Sequence, residues 1–108
     1  MGQPAYINYD QLTELLGQET PILIDRELEW WNAHRVQPFA AQYHKDPEVW
    51  HYVVAVSGSA VILFADDEDE FGTGTITGTE PVITTYGLVG NLLDTVRNVL
   101  IHHERRMD

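Results

Sequence analysis

The sequence predicts an α+β fold, a predominantly antiparallel sheet of four or five strands with an N-terminal helix and a longer C-terminal helix packed against it. Three observations carry this. Apolar residues at helical spacing occur near both ends of the chain, at Leu12, Leu15 and Leu16 and again at Val89, Leu92, Leu93, Val96, Val99 and Leu100. Between them, Trp50 to Val56 and Ala60 to Ala65 read as two strands joined by the turn Ser57-Gly58-Ser59. From Gly72 to Thr79, Thr and Gly alternate with the strand period of two.

At the first helix, Asn8 is placed to cap and Gln11 stands three residues on, as in a capping box. Ile7 can staple onto Leu12, and Gly17 is the expected stop. A turn over Gln18 to Pro21 then leads into Ile22-Leu23-Ile24, expected as a buried strand, which Asp25 to Trp31 either extends or leaves as a helix. Residues 32–49 contain Pro38 and Asp46-Pro47 and suit a loop with one helical turn near Phe39 to Tyr43. The hairpin that follows is apolar on both faces, which puts it at the centre of the sheet with helices on at least one side. The Thr-rich strand is expected at a solvent-facing edge and is ended by Pro81. Val82 to Tyr86 gives one more short strand, and the last helix runs to about Arg106, with Arg97, Arg105 and Arg106 in its C-terminal half, where the helix dipole favours cations.

With 108 residues and 44% hydrophobic content, the chain supports one core and one domain spanning residues 1–108. It has no cysteine, which excludes disulfides, thiolate metal sites and cysteine nucleophiles. No stretch approaches the roughly 20 apolar residues of a membrane span, and the start of the sequence lacks the basic-then-apolar order of a secretion signal. A cytoplasmic protein that does not bind membrane is expected.

Charge is the dominant functional feature. The net charge is −11, and residues 1–80 hold fourteen Asp or Glu against Arg26, Arg35 and Lys45. Such a surface attracts basic protein partners and repels nucleic acid and anionic membrane. The run Asp66-Asp67-Glu68-Asp69-Glu70 is the leading candidate binding segment. Read as an EF-hand calcium loop, it has Asp67, Asp69 and Gly72 at the first, third and sixth positions, but Phe71 and Gly78 occupy the fifth and twelfth, where oxygen ligands are required. The plain alternatives are a solvated hairpin tip for the run and adaptation to salt for the whole chain.

Trp30 and Trp31 form the second candidate binding segment, since large aromatics beside Arg35 can anchor a partner; on a strand the two indoles would face opposite ways. Of the five histidines, at positions 34, 44, 51, 102 and 103, no pair has metalloprotease spacing. The best constellation is His44, Glu48 and His51, with His51 expected opposite Asp66 if the hairpin turns at Gly58-Ser59. No nucleophile elbow, phosphate loop or dinucleotide fingerprint is present, so catalytic residues, metal ligands and cofactors are assigned to none. The composite expectation is a non-catalytic acidic binding protein of bacterial type that docks a basic protein surface, as immunity proteins, inhibitors and nucleic-acid mimics do. The alternatives are a small enzyme or ligand- or metal-binding module built on His44, His51 and the tryptophans, and an acidic structural subunit. A homodimer through the C-terminal helix or the edge of the Thr-rich strand is also expected, because the apolar face of that helix looks wider than one small sheet would cover.

Overall fold

The computed structural model describes residues 9–65, 68–77 and 82–107, the last six as helix backbone. Helices α1 (Tyr9–Glu19) and α2 (Asp25–His34) come first, linked by a 3-10 turn at Thr20–Ile22. Strands β1 (Arg35–Tyr43), β2 (Asp46–Ser57), β3 (Ala60–Ala65), β4 (Glu70–Thr77) and β5 (Val82–Gly90) follow, and α3 (Leu92–Met107) comes last. The architecture is the predicted α+β class, with the additional feature that the sheet closes into a five-stranded barrel. In a meander of five strands the first and last run in the same direction, so the closing pair has to be parallel, and Gln42↔Val82 and Tyr43↔Ile83 are. The His44 amide extends the closure by donating to the Ile83 carbonyl at 2.8 Å.

Closure corrects the expected edge strand. β4 pairs with β3 from Ala60↔Thr75 to Ala65↔Glu70 and with β5 from Phe71↔Gly90 to Thr77↔Val82. Over Phe71 to Thr75 both backbone sides of the Thr-rich strand are therefore paired, while Gly78 and Thr79 lie outside the described residues.

Two cores lie on the two faces of the barrel wall. Inside it, Ala41, Val53, Val61, Leu63 and Ile83 are buried, with Phe39, Tyr43, Val56, Ile76, Tyr86 and Leu88 packed around them. Outside it, Val54, Ala55, Ile62, Phe64 and Phe71 meet Leu12, Leu23, Trp31, Leu92 and Val96 from the helical layer. The predicted β2–β3 hairpin has both faces apolar because each face has its own core. Its turn is made by Gly58, whose φ of +65° suits the first central position of a two-residue hairpin loop. A bulge lies between Val53 and Ala55. It explains why the consecutive residues Val54 and Ala55 both belong to the outer core while Val53 and Val56 face inward.

Close approach dictates the glycines of β4. A Cβ on Gly72 would collide with the Gly87 carbonyl oxygen, and one on Gly74 would stand 2.6 Å from the Thr85 carbonyl oxygen. The Thr-Gly alternation is thus an inside-outside code in which the β4–β5 wall tolerates no inward side chain at Gly72 or Gly74.

Two local expectations are corrected, and one open alternative is decided. Ile22-Leu23-Ile24 is not a strand: Leu23 is buried while Ile22 and Ile24 are 55% and 59% exposed, and the chain there leaves the 3-10 turn to start α2. The helical alternative holds for residues 25–34, where Arg, Glu, Leu and Ala favour helix, Asp25 and Glu27 lie in the first turn and His34 in the last. Residues 35–43 are a strand rather than a loop with a helical turn: Phe39 and Tyr43 pack with buried Ala41 inside the barrel, and Pro38 falls within a register shift where no ladder bond is required of it.

At the helix boundaries, α1 continues through Gly17 to Glu19, and the proposed cap Asn8 and staple residue Ile7 lie outside the described residues. α3 begins at Leu92 because Asn91 caps it, its Oδ1 accepting from the Asp94 amide at 2.8 Å, while Glu19 Oε1 accepts from the Leu92 amide at 3.1 Å. The wide apolar face of α3 packs on β4, β5, α2 and the 3-10 turn. Leu92 and Val96 are fully buried, Leu93, Val99 and Leu100 are half-buried against the outer core, and Ile101 is 51% exposed.

Candidate functional site

Topology decides which charged segments meet. In an antiparallel meander alternate turns fall on the same rim, so the β1–β2 turn, the β3–β4 turn and the β5–α3 junction share one end of the barrel. That rim carries exposed Asp46 and Glu48 from the start of β2, exposed Glu68 and Asp69 with half-buried Glu70 at the β3–β4 turn, and exposed Asp94 in the first turn of α3. Glu19, capping α3, adds a carboxylate from the helical layer. Among the described rim residues Lys45 is the opposing cation, at the tip of the β1–β2 turn. Asp69 adopts φ of +56°, a left-handed conformation that Asp tolerates better than most residues and that suits the turn. Asp66 and Asp67, the first two acids of the run, lie outside the described residues.

The tryptophans occupy a different place. Both are on α2, where consecutive side chains point about 100° apart rather than to opposite faces. Trp31 is 2% exposed and belongs to the outer core, and its Nε1 has no hydrogen-bond acceptor among the described residues. Trp30 is half-buried, with its ring 4.7 Å from that of His34 one turn on. It forms one wall of a groove of about 420 Å³ between the helices and the barrel. The barrel side of the groove includes Ser57, Thr73, Thr75, Thr85 and Tyr86, and α3 contributes Asn98 and Val99.

A second bulge shapes the floor of this groove. Thr75 pairs with Thr85 and Ile76 with Ile83, which leaves Thr84 as the extra residue. Thr84 and Thr85 therefore both reach Thr75, with hydroxyl oxygens 2.6 Å and 2.9 Å from Thr75 Oγ1. Outside the lining, Arg97 of α3 pairs with Glu27 of α2 at 3.7 Å and links the two helices.

The expected histidine constellation is not assembled. His44 is exposed in the β1–β2 turn and Glu48 is exposed on β2, whereas His51 is 3% exposed and faces the barrel interior. There its ring lies 4.5 Å from Tyr86 in an edge-to-face contact, and Tyr86 makes a second such contact with Tyr43 at 4.9 Å. The register expected for His51 is also corrected. The bulge at Val54 moves the pairing by one residue, so that Tyr52 pairs with Phe64 and the next position along β3 from His51 is Ala65 rather than Asp66. Among the described residues no group of three or more His, Asp or Glu is arranged to hold a metal ion. No helix among them is long and apolar enough to cross a membrane.

Comparison with family models, with curated proteins and with solved structures found no match.

Sequence reasoning singles out the turn acids and both tryptophans, of which Trp31 belongs to the core. It missed Asp46, Glu48 and Asp94 as members of the same surface, because their proximity follows from closure and turn parity. It also missed Thr84, Thr85 and Asn98. Two adjacent threonines on a strand look like opposite-facing residues until a bulge is known.

Proposed function

We propose that this chain is a non-catalytic binding protein that docks a basic surface of another protein through the acidic rim of its barrel. The observation that supports this reading is the convergence of Asp46, Glu48, Glu68, Asp69 and Asp94, all exposed, from three separate segments onto one end of the molecule. Acids selected for general solubility have no need to converge. On one rim they sum to a local potential that raises encounter rates with a cationic partner and disfavours nucleic acid. The neighbouring acids Asp66 and Asp67 belong to the same sequence run and are included in the proposed surface.

The test compares two variants of equal charge. In one, Asp46, Glu48, Glu68 and Asp69 are changed to their amides; in the other, the exposed helical acids Asp10, Glu14, Asp25 and Glu29 are changed in the same way. Association with a basic partner captured by the wild-type protein is expected to slow at low salt by about tenfold or more for the rim variant and by much less for the helical variant. Equal slowing in both would assign the effect to net charge and would remove the rim as an interface.

A further inference from the structure

We propose a second binding site, independent of the acidic rim: the groove between α2, α3 and the barrel takes a neutral saccharide. At about 420 Å³ the groove is within the size range of small-molecule sites. Its chemistry runs against the rest of the molecule. On a chain of net charge −11, not one of the residues lining this groove is charged. An anionic ligand would meet a repelling field and find no cation in the lining, while a cationic ligand would find no carboxylate there. The remaining class is neutral.

The polar groups narrow it further. Thr75, Thr84 and Thr85 hold three hydroxyl protons, and three acceptors lie within the cluster: Thr84 donates to the Thr75 carbonyl at 3.3 Å, and the two hydroxyl contacts to Thr75 take one proton each. Either hydroxyl of each pair can be the donor, and in both orders Thr85 has a lone pair left to accept a hydrogen bond from a ligand that carries hydroxyl donors. Asn98 across the groove offers a carboxamide with both donor and acceptor. Trp30 supplies an aromatic wall for apolar C–H surface. Several hydroxyls, no charge and one face of C–H groups together describe a sugar ring. The bulge that creates the cluster interrupts the β4–β5 ladder, and such irregularities are over-represented where a strand re-aims side chains at a ligand.

The test is calorimetric titration of the intact protein with glucose, galactose, mannose and maltose, and with glucuronate and glucosamine as charged counterparts. At least one neutral saccharide is expected to bind saturably with a Kd of about millimolar, and the charged sugars about tenfold more weakly. Thr85→Val and Asn98→Ala, at exposed and half-buried positions, are each expected to weaken that binding by about tenfold with the melting temperature held. Absence of saturable binding by all four neutral saccharides would overturn the proposal. So would equal binding of the charged sugars, or affinity unchanged by both substitutions. The rim contributes no residue to this groove, so either result leaves the docking reading to its own test.

Discussion

The two proposed sites, the rim and the groove, are built by opposite means. The rim is built of exposed carboxylates on turns and is convergent in charge, whereas the groove is neutral, partly enclosed by two helices and convergent in hydroxyls. Charge acts over a Debye length of about 10 Å and tolerates imprecise geometry; hydrogen bonds act at contact and demand it. A small barrel can hold both because its wall fixes the floor of the groove while its turns remain free to carry charge. On the proposed reading, one fold separates a long-range device for encounter from a short-range one for fit.

The largest effect is expected where the two regions share a wall. Gly72→Ala places a methyl against the Gly87 carbonyl oxygen across β4 and β5, and is expected to destabilise the fold by about 3 kcal/mol, read from urea unfolding. A change under about 0.5 kcal/mol would mean that the wall relaxes easily and that the Thr-Gly alternation has another origin. Thr75→Val comes next. It removes the centre of the hydroxyl cluster and leaves Thr84 and Thr85 to find other partners, for an expected loss of about 1 kcal/mol by the same measurement.

Neutralising the rim acids Asp46, Glu48, Glu68 and Asp69 should behave in the reverse sense, leaving stability within about 0.5 kcal/mol because exposed charges contribute little to it. A rim variant that unfolds cooperatively at the wild-type midpoint but associates slowly would sharpen the contrast; one that loses stability as Thr75→Val does would blur it. The smallest effect is expected from zinc. His44 is exposed in the β1–β2 turn while His51 is buried inside the barrel, so zinc should shift the melting temperature by less than about 1 °C. A saturable stabilisation lost in His44→Ala would restore the metal-binding alternative.

The sequence carried the helices and the central hairpin because their apolar spacing is local. Leu12, Leu15 and Leu16 sit on one face of α1, and the turn at Gly58-Ser59 is where the chain reverses. It did not carry β1, because Pro38, Ala40, Ala41 and Gln42 have weak strand propensity and form a strand only when β2 and β5 supply partners. The bulges at Val54 and Thr84 were equally hidden. Each moves a register by one residue, which takes His51 away from Asp66 and brings both Thr84 and Thr85 to Thr75. The breadth of the apolar face on α3 was legible, and within the chain that face packs on α2 and the 3-10 turn as well as on the barrel. Of the candidate site, the turn acids and Trp30 could be named from sequence, while their separation onto different parts of the molecule depended on closure.

The central claim is that the acids of the rim act together as one docking surface, and amide chemical-shift mapping of the labelled protein during titration with an oligolysine peptide tests it most directly. Shifts concentrated on residues 44–48, 68–70 and 91–94, and suppressed by added salt, are the predicted result. Shifts of equal size at the exposed acids of α1 and α2, Asp10, Glu14, Asp25 and Glu29, would contradict it.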